Sequence, residues 1–250
     1  MIRTETQGRL ARIELNRPGK KNALTAEAYG QLADALSAAD ANGAVRVILI
    51  HGQPDCFTAG NDLIDFLERP PHGENATTWR FLRTLPQVAK PIVAAVGGPA
   101  VGIGTTLLLH CDLVFATTAA RFQLPFVPLG VVPEAASTFL LPMLAGYQRA
   151  AELLLLGQPF TAEKAREIGM VTAVVPAENL IAEAEKAANA LAALPAESIR
   201  LTKRLMKQRY SEAVAQAMAE EGRLFRERLA GPDAREAMSA FLEKRKPNFG

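Results

Sequence analysis

Three stretches of the chain hold residue types whose spacing could do chemistry. The first is Cys56-Phe57-Thr58-Ala59-Gly60-Asn61-Asp62-Leu63. Its small residues and glycine let a ligand approach the backbone closely. Asn61 and Asp62 could open a helix whose first amides face that ligand, although a plain strand-to-helix turn would look the same. The second is Gly97-Gly98-Pro99-Ala100-Val101-Gly102-Ile103-Gly104-Thr105-Thr106. A glycine-rich turn between strand and helix presents unpaired N–H groups where negative charge is stabilised. It holds GxG but neither GxGxxG nor the GK[ST] of a P-loop, so a nucleotide is poorly supported. Tight helix–strand packing is its plainer alternative. The third runs from Pro125 to Ser137 and carries one carboxylate, Glu134, in an otherwise apolar stretch. Apolar surroundings raise a carboxyl pKa, which suits a general base near neutral pH. A solvated loop glutamate is the competing reading.

Other chemistry finds less footing. His51, His72 and His110 are too scattered for a triad or a metal site, and His110 falls in a buried helix pattern as a satisfied core residue. Ser137 lacks a G-x-S-x-G frame. The two cysteines, Cys56 and Cys111, form neither a disulfide framework nor a zinc site of standard spacing, and read as small core residues of a reducing compartment. No metal is expected. The net charge of +2 gives no reason to invoke nucleic acid or an anionic membrane. Lys203, Arg204, Lys207 and Arg209 cluster, but a solvated helix face is the simpler reading than an RNA surface. No apolar run spans a bilayer, because Asp112 interrupts the longest, Pro99 to Ala116. The N-terminus lacks an apolar signal core and the C-terminus carries no lipidation or peroxisomal signal, so a cytoplasmic location is expected.

These residues need a frame that a chain of 250 residues is long enough to build as one large α/β domain or two small ones. Only 6% of residues are aromatic, so Ala, Leu and Val must fill the core. Strands are expected at Leu10–Leu15, Val45–His51, Ile92–Val96 and Leu113–Ala116. Helices are expected at Thr25–Ala41, with Thr25 as N-cap, at Thr77–Ala89 and at Ile103–His110. That alternation is the rhythm of a parallel sheet. After about Tyr147 helical patterns follow one another at 147–156, 161–168, 177–193, 198–208, 211–229 and 233–245, interrupted by a strand at Val171–Val175. The chain then reads as α/β, with a core over 1–195 and a helical region over 196–250.

In order and spacing, several segments together resemble the crotonase (enoyl-CoA hydratase/isomerase) family. They are LNRPGKKNAL (15–24), FTAGNDL (57–63), KPIVAAVGGPAVGIG (90–104), CDLVFATTAARFQLP (111–125), PLGVVPE (128–134), FTAEKAREIGMVTAVVP (160–176) and FLEKRKPNFG (241–250). The resemblance implies a spiral of ββα turns with a C-terminal helical region that drives a homotrimer, or a homohexamer of paired trimers. It implies an acyl-CoA substrate, with coenzyme A entering as part of that substrate and no separate cofactor. The backbone amides of Asn61 and Ile103 would form an oxyanion hole. Coenzyme A would lie along Lys21, Ala23 and Leu24, with Thr58 and Ala59 near its adenine. Asp62 joins that set, although capping a helix is the other reading of Asp62. Phe241 and Lys244 match positions that reach a neighbouring subunit's coenzyme A.

By the same resemblance, the two glutamates that family hydratases use would fall on Thr106 and Phe126. Neither is a carboxylate, so the usual hydratase pair is missing. The setting of Glu134, LGVVPE, together with AGNDL and GPAVGI, is similar to peroxisomal-type Δ3,Δ2-enoyl-CoA isomerases, in which a glutamate at this place works alone. The implied activity is movement of a 3-enoyl-CoA double bond to the 2-trans position. A hydratase or another crotonase-type acyl-CoA lyase, with a base such as Asp62, is the second reading. A catalytically inactive acyl-CoA-binding subunit is the third.

Overall fold

Five parallel strands and one antiparallel edge strand make the main sheet. In the computed structural model, which describes residues 1–71, 73 and 76–250, β1 (Ile2–Gln7) turns at Gly8 into β2 (Leu10–Leu15). The sheet continues through β3 (Val47–His51), β4 (Ile92–Val96), β6 (Leu113–Thr117) and β9 (Ala173–Val175), in the order β1-β2-β3-β4-β6-β9. A smaller sheet joins β5 (Pro99–Val101), β7 (Arg121–Gln123) and β8 (Phe160–Thr161). Each turn of the spiral lays a strand in the large sheet and then a short piece beside the small one. Thus β4 leads to β5, β6 leads to β7, and β3 leads to Thr58, which bridges in parallel to Ala100.

Both faces of the central strands β3 and β4 are apolar, as expected for strands covered on each side. Leu10, Val47, Leu49, Val93, Ala95 and Phe115 point to one face. There α8 (Leu180–Ala193) covers them with a stripe of Leu180, Ala184, Ala188 and Ala192, spaced every four residues. The alternate residues, among them Ile13, Ile48, Ile50, Ala94, Val96 and Val114, point into the main core. That core is closed by α1 (Ala26–Ala41) and α3 (Thr77–Thr84), which pack on each other. Thr25 caps α1 by accepting from the Ala28 N–H, as the sequence predicts.

The remaining helices are α2 (Leu63–Glu68), α4 (Ile103–Thr106), α5 (Ser137–Ala145), α6 (Tyr147–Leu156) and α7 (Ala162–Glu167), then α9 (Ala196–Gln208), α10 (Ser211–Leu229) and α11 (Pro232–Leu242). The C-terminal part is helical, as expected. Several predicted elements are shorter than the patterns suggest; β3 begins at Val47, not Val45, and α11 ends at Leu242, not at residue 245. α3 ends at Thr84 and a 3-10 turn carries Leu85–Gln87, because Pro86 cannot donate to a continuing helix. The apolar run Ile103–His110 is one α turn followed by a 3-10 turn over Leu107–His110. The last strand begins at Ala173, not Val171.

The reading of Lys203, Arg204, Lys207 and Arg209 as a solvated face requires correction. Arg204 and Arg209 are exposed, but Lys203 is buried. Its ammonium donates to Lys90 O and to the Asp112 carboxylate, each at 2.7 Å, and ties α9 to the sheet. A buried charge persists only when paired in this way. Lys207 Nζ donates to His110 O at 3.2 Å, and burial pulls its pKa down. Among the described residues, no helix is long and apolar enough to cross a membrane.

Candidate active site

Two backbone segments run side by side and place Asn61 opposite Ile103. Thr58 and Ala100 form a parallel bridge, and Val101 N–H donates to Thr58 O at 3.0 Å. Asn61 and Ile103 each lie three residues beyond that bridge. Each follows a glycine with positive φ, Gly60 at 87° and Gly102 at 56°. A Cβ on Gly60 would stand 2.8 Å from Val101 O, so no other residue allows the two segments to approach so closely. Gly102 donates to Gln123 O and accepts from the N–H groups of Thr105 and Thr106. Neither the Asn61 N–H nor the Ile103 N–H is consumed by a strand ladder or a helix, and neither has a partner among the described residues. Ile103 is the first residue of α4, where the helix leaves its N–H free.

Most of the expected coenzyme A set forms one strip beside these amides. Ala59 N–H donates to Lys21 O at 2.9 Å, Leu24 N–H to Gly60 O at 2.8 Å, and Asp62 N–H to Leu24 O at 2.9 Å. Lys21, Ala23, Leu24, Thr58, Ala59 and Asp62 are thereby brought together. Thr58 is fully buried, its hydroxyl donating to Asn22 O and accepting from Gly60 N–H, so its side chain holds the turn. Asp62 caps α2 through the N–H groups of Ile64 and Asp65, and accepts from Arg17 Nη1 at 2.6 Å. Burial works against its ionisation, but Arg17 and those two N–H groups outweigh it and hold the carboxyl below its usual range. The capping reading of Asp62 is the one the contacts favour. Phe241, in the last turn of α11, and Lys244, just beyond it, are exposed, and α11 packs on α10 and the Val127–Leu129 turn.

Glu134 sits three residues before the first residue of α5 and is buried. The Thr106 hydroxyl donates to its Oε1. Burial pushes the Glu134 pKa up to about 8; the Thr106 hydrogen bond pulls the other way, and the nearby Glu221 carboxylate adds to the rise. Thr106 closes the single turn that Ile103 opens, so the two lie about 4.5 Å apart along the axis at 1.5 Å per residue. On the other side, the Tyr29 hydroxyl donates to the Asn61 side-chain oxygen. Burial and the closeness of Glu134 together raise the Tyr29 pKa well above its usual value. Glu134 is therefore tied to the Ile103 segment by Thr106 and coupled to Tyr29, whose hydroxyl holds the Asn61 side chain.

A cavity of about 750 Å³ opens beside Glu134. α3 contributes Trp79 and Leu82, α5 contributes Leu140 and Met143, and α9 and α10 contribute Met206, Val214 and Met218. Asn61 and Ile103 are not among its described lining residues. His110 is buried as expected, and its ring N–H donates to Ala135 O at 2.8 Å. Burial lowers its pKa to about 4, so it is neutral at physiological pH. His51 lies at the end of β3, apart from His110, and His72 lies outside the described residues. Phe126 is buried where a second carboxylate was sought.

Three participants escape a reading of the sequence: the Thr106 hydroxyl as a donor to Glu134, Tyr29, and Glu221. Thr106 was legible as a missing carboxylate but not as a hydrogen-bond donor. Tyr29 and Glu221 lie on apolar helix stripes, where a polar group is itself a signal.

An arrangement of two free amides beside one buried carboxylate can hold an oxyanion and move a proton next to it. A family model described as enoyl-CoA hydratase/isomerase matches residues 5–250. The chain belongs to that family. Relatives within the enoyl-CoA hydratase/isomerase family divide by reaction. The chain is 34% identical over 243 residues to human enoyl-CoA delta isomerase 2, covering 94% of this chain and 61% of that protein. It thus spans less than two thirds of the human isomerase. It is also 34% identical over 244 residues to the 2,3-dehydroadipyl-CoA hydratase of Escherichia coli strain K12, covering 97% and 96% of the two chains. The solved structure of Pseudomonas aeruginosa OdaA superposes with a TM-score of 0.94 at 47% identity, covering 96% of this chain and 98% of that one. An acyl-CoA substrate is consistent with the family, and the fold is the crotonase fold that the sequence resembles.

Proposed function

We propose that this protein is a Δ3,Δ2-enoyl-CoA isomerase with Glu134 as its only proton carrier. The observation that carries the reading is the environment of Glu134. It is the one carboxylate among the described residues lining the cavity, and its pKa of about 8 suits taking and returning a proton near neutral pH. Where a hydratase of the family would carry its other carboxylates stand the Thr106 hydroxyl and the buried Phe126 ring.

In this reading the thioester oxygen of a 3-enoyl-CoA accepts from the Asn61 and Ile103 N–H groups. The ionised Glu134 removes a C2 proton, and the C2–H electrons pass into a dienolate whose negative charge rests on the thioester oxygen. Glu134 then returns the proton to C4. The double bond moves to C2–C3 with no net change in atoms, so one carboxyl suffices. Fixed amides aimed at a developing oxyanion contribute about 10²–10³ in rate each. The acyl tail occupies the cavity, and coenzyme A follows the 21–24 strip.

Asp62 makes a poor alternative base, since Arg17 and the start of α2 keep it ionised and occupied. Assembly belongs to the same proposal. α9 exposes Leu205 and Met206, and α11 exposes Phe241 and Leu242, which suits a homotrimer in which Phe241 and Lys244 meet a neighbour's coenzyme A. Separate incubations with 3-hexenoyl-CoA and crotonyl-CoA test the activity. Growth of conjugated-enoyl absorbance from the first supports the isomerase. Loss of absorbance from crotonyl-CoA, with no reaction of 3-hexenoyl-CoA, would make it a hydratase.

A further inference from the structure

The backbone that carries Glu134 is one the local sequence disfavours. Ala135 and Ala136 both take positive φ, 60° and 56°, a region that residues with a Cβ enter at a cost. Neither is glycine, so something else must hold the turn. Ala136 is also the N-cap of α5, and its methyl offers no oxygen to the free N–H groups that follow.

Both needs are met by one side chain from far along the chain. Glu221 on α10 is buried, and its Oε2 accepts from Ala136 N–H at 2.6 Å. Its Oε1 accepts from Thr138 N–H at 2.9 Å and from the Thr138 hydroxyl at 2.6 Å. On the opposite side of the turn, His110 holds Ala135 O. The turn that aims Glu134 is clamped from two elements, and one of those clamps is a carboxylate.

We propose that Glu221 is a positioning residue of this site: reaching from α10, it clamps the left-handed Ala135–Ala136 turn and sets a second negative charge beside Glu134. It fixes both the aim of the proton carrier and the pH at which the carrier works. The proposal rests on the reading of Glu134 as that carrier.

The surrounding charges make the second role specific. Tyr29 from α1 and Glu221 from α10 lie close enough for their charge to couple to Glu134, and Arg83 from α3, His110 from the turn before β6, Lys207 from α9 and Arg226 from α10 line the same cavity. His110 is neutral at working pH and Tyr29 stays protonated. Arg83, Lys207 and Arg226 bring positive charge to the same cavity wall. Glu221 is the one carboxylate of this set that acts on Glu134; burial raises its own pKa, and its three donors pull the other way, towards the ionised form. Like charges close together raise the pKa of one partner.

Two substitutions separate charge from reach. Glu221→Gln keeps the length and removes the charge; Glu221→Asp keeps the charge and falls one methylene short of the turn. Profiles of kcat against pH with 3-hexenoyl-CoA should show the acid limb of Glu221→Gln displaced to lower pH. Glu221→Asp should keep the limb nearer its place while the plateau drops about 10- to 10²-fold, the cost of a misaimed group. Should these variants not fold, Thr138→Val leaves both carboxylates and removes one donor that keeps Glu221 ionised. Its limb should move in the same direction by less. A lowered melting temperature with limb and plateau both at wild-type values would reduce Glu221 to a helix cap, as would an unmoved limb in Thr138→Val. A parallel Glu134→Gln keeps the two ideas apart. If it retains turnover, the role of Glu134 itself fails; if it loses turnover while the Glu221 limbs stay put, only this inference fails.

Discussion

Asp62 and Glu134 each stand at or just before the start of a helix, and their surroundings drive them to opposite states. Asp62 meets a guanidinium and two free N–H groups, and is held ionised. Glu134 meets apolar side chains, one hydroxyl and a second carboxylate, and keeps its proton to about pH 8. One is spent on structure and the other is poised for proton transfer. Two carboxylates with separated pKa values reveal a division of labour that residue type alone conceals.

The comparison breaks most visibly if the Asn61 or Ile103 amide is turned away. Gly102→Ala forces a Cβ into a residue held at φ 56°, with ψ at −117°, and should reorient the Ile103 N–H. Isomerase turnover should fall about 10²–10³-fold at temperatures where the variant, destabilised by that strain, is still fully folded by circular dichroism. Unchanged turnover would mean that Ile103 binds no oxyanion.

Stability against pH probes Glu134 directly. Its folded pKa of about 8 lies above its ordinary 4.5, so the folded state holds a proton that the unfolded chain releases. The fold benefits fully below pH 4.5 and loses that advantage as pH rises through 8. Urea midpoints should decline over that range in the wild type, by on the order of a few kcal/mol in unfolding free energy. Glu134→Gln should flatten the decline, and a parallel slope in both proteins would place the titrating group elsewhere.

Thr106→Val sharpens the contrast from the other side. It removes the donor that favours ionised Glu134, so the acid limb should move to higher pH and the rate at pH 7 should fall by up to about tenfold. A limb moving downwards would contradict the hydrogen bond. The smallest effect belongs to Asp62→Ala, which strips the cap from α2 and should cost about 1 kcal/mol in chemical denaturation. Its turnover loss should be at least tenfold milder than that of Glu134→Gln.

Strands buried on both faces were legible from the sequence because every residue carries the signal. Ile92–Val96 matches its prediction at both ends, as does the helix Ser211–Leu229. β1 escaped because it is an edge strand whose residues from Arg3 to Gln7 all face solvent, leaving no apolar alternation to read. β5, β7 and β8 are two or three residues long, too short to show any period. α5 was missed because its N-terminus is capped by Glu221 and not by a neighbour, while Pro142 sits inside it. Within the site, the glycines before Asn61 and Ile103 and the isolation of Glu134 could be read directly. The tie from Glu134 to Thr106 could not, since 28 residues separate them and only the fold makes them neighbours. The burial of Lys203 was hidden for the same reason: its partner Asp112 lies 91 residues away.

The central claim is that one carboxyl carries the proton in both directions. Glu134→Gln keeps size and polarity but cannot accept a proton near neutral pH. Its turnover of 3-hexenoyl-CoA, followed by conjugated-enoyl absorbance at pH 8, should be lower than that of the wild type by about 10²–10⁴. Affinity for a saturated acyl-CoA should change little, because the amides remain. Turnover within a few fold of the wild type would contradict the account and leave Glu134 an ordinary buried residue.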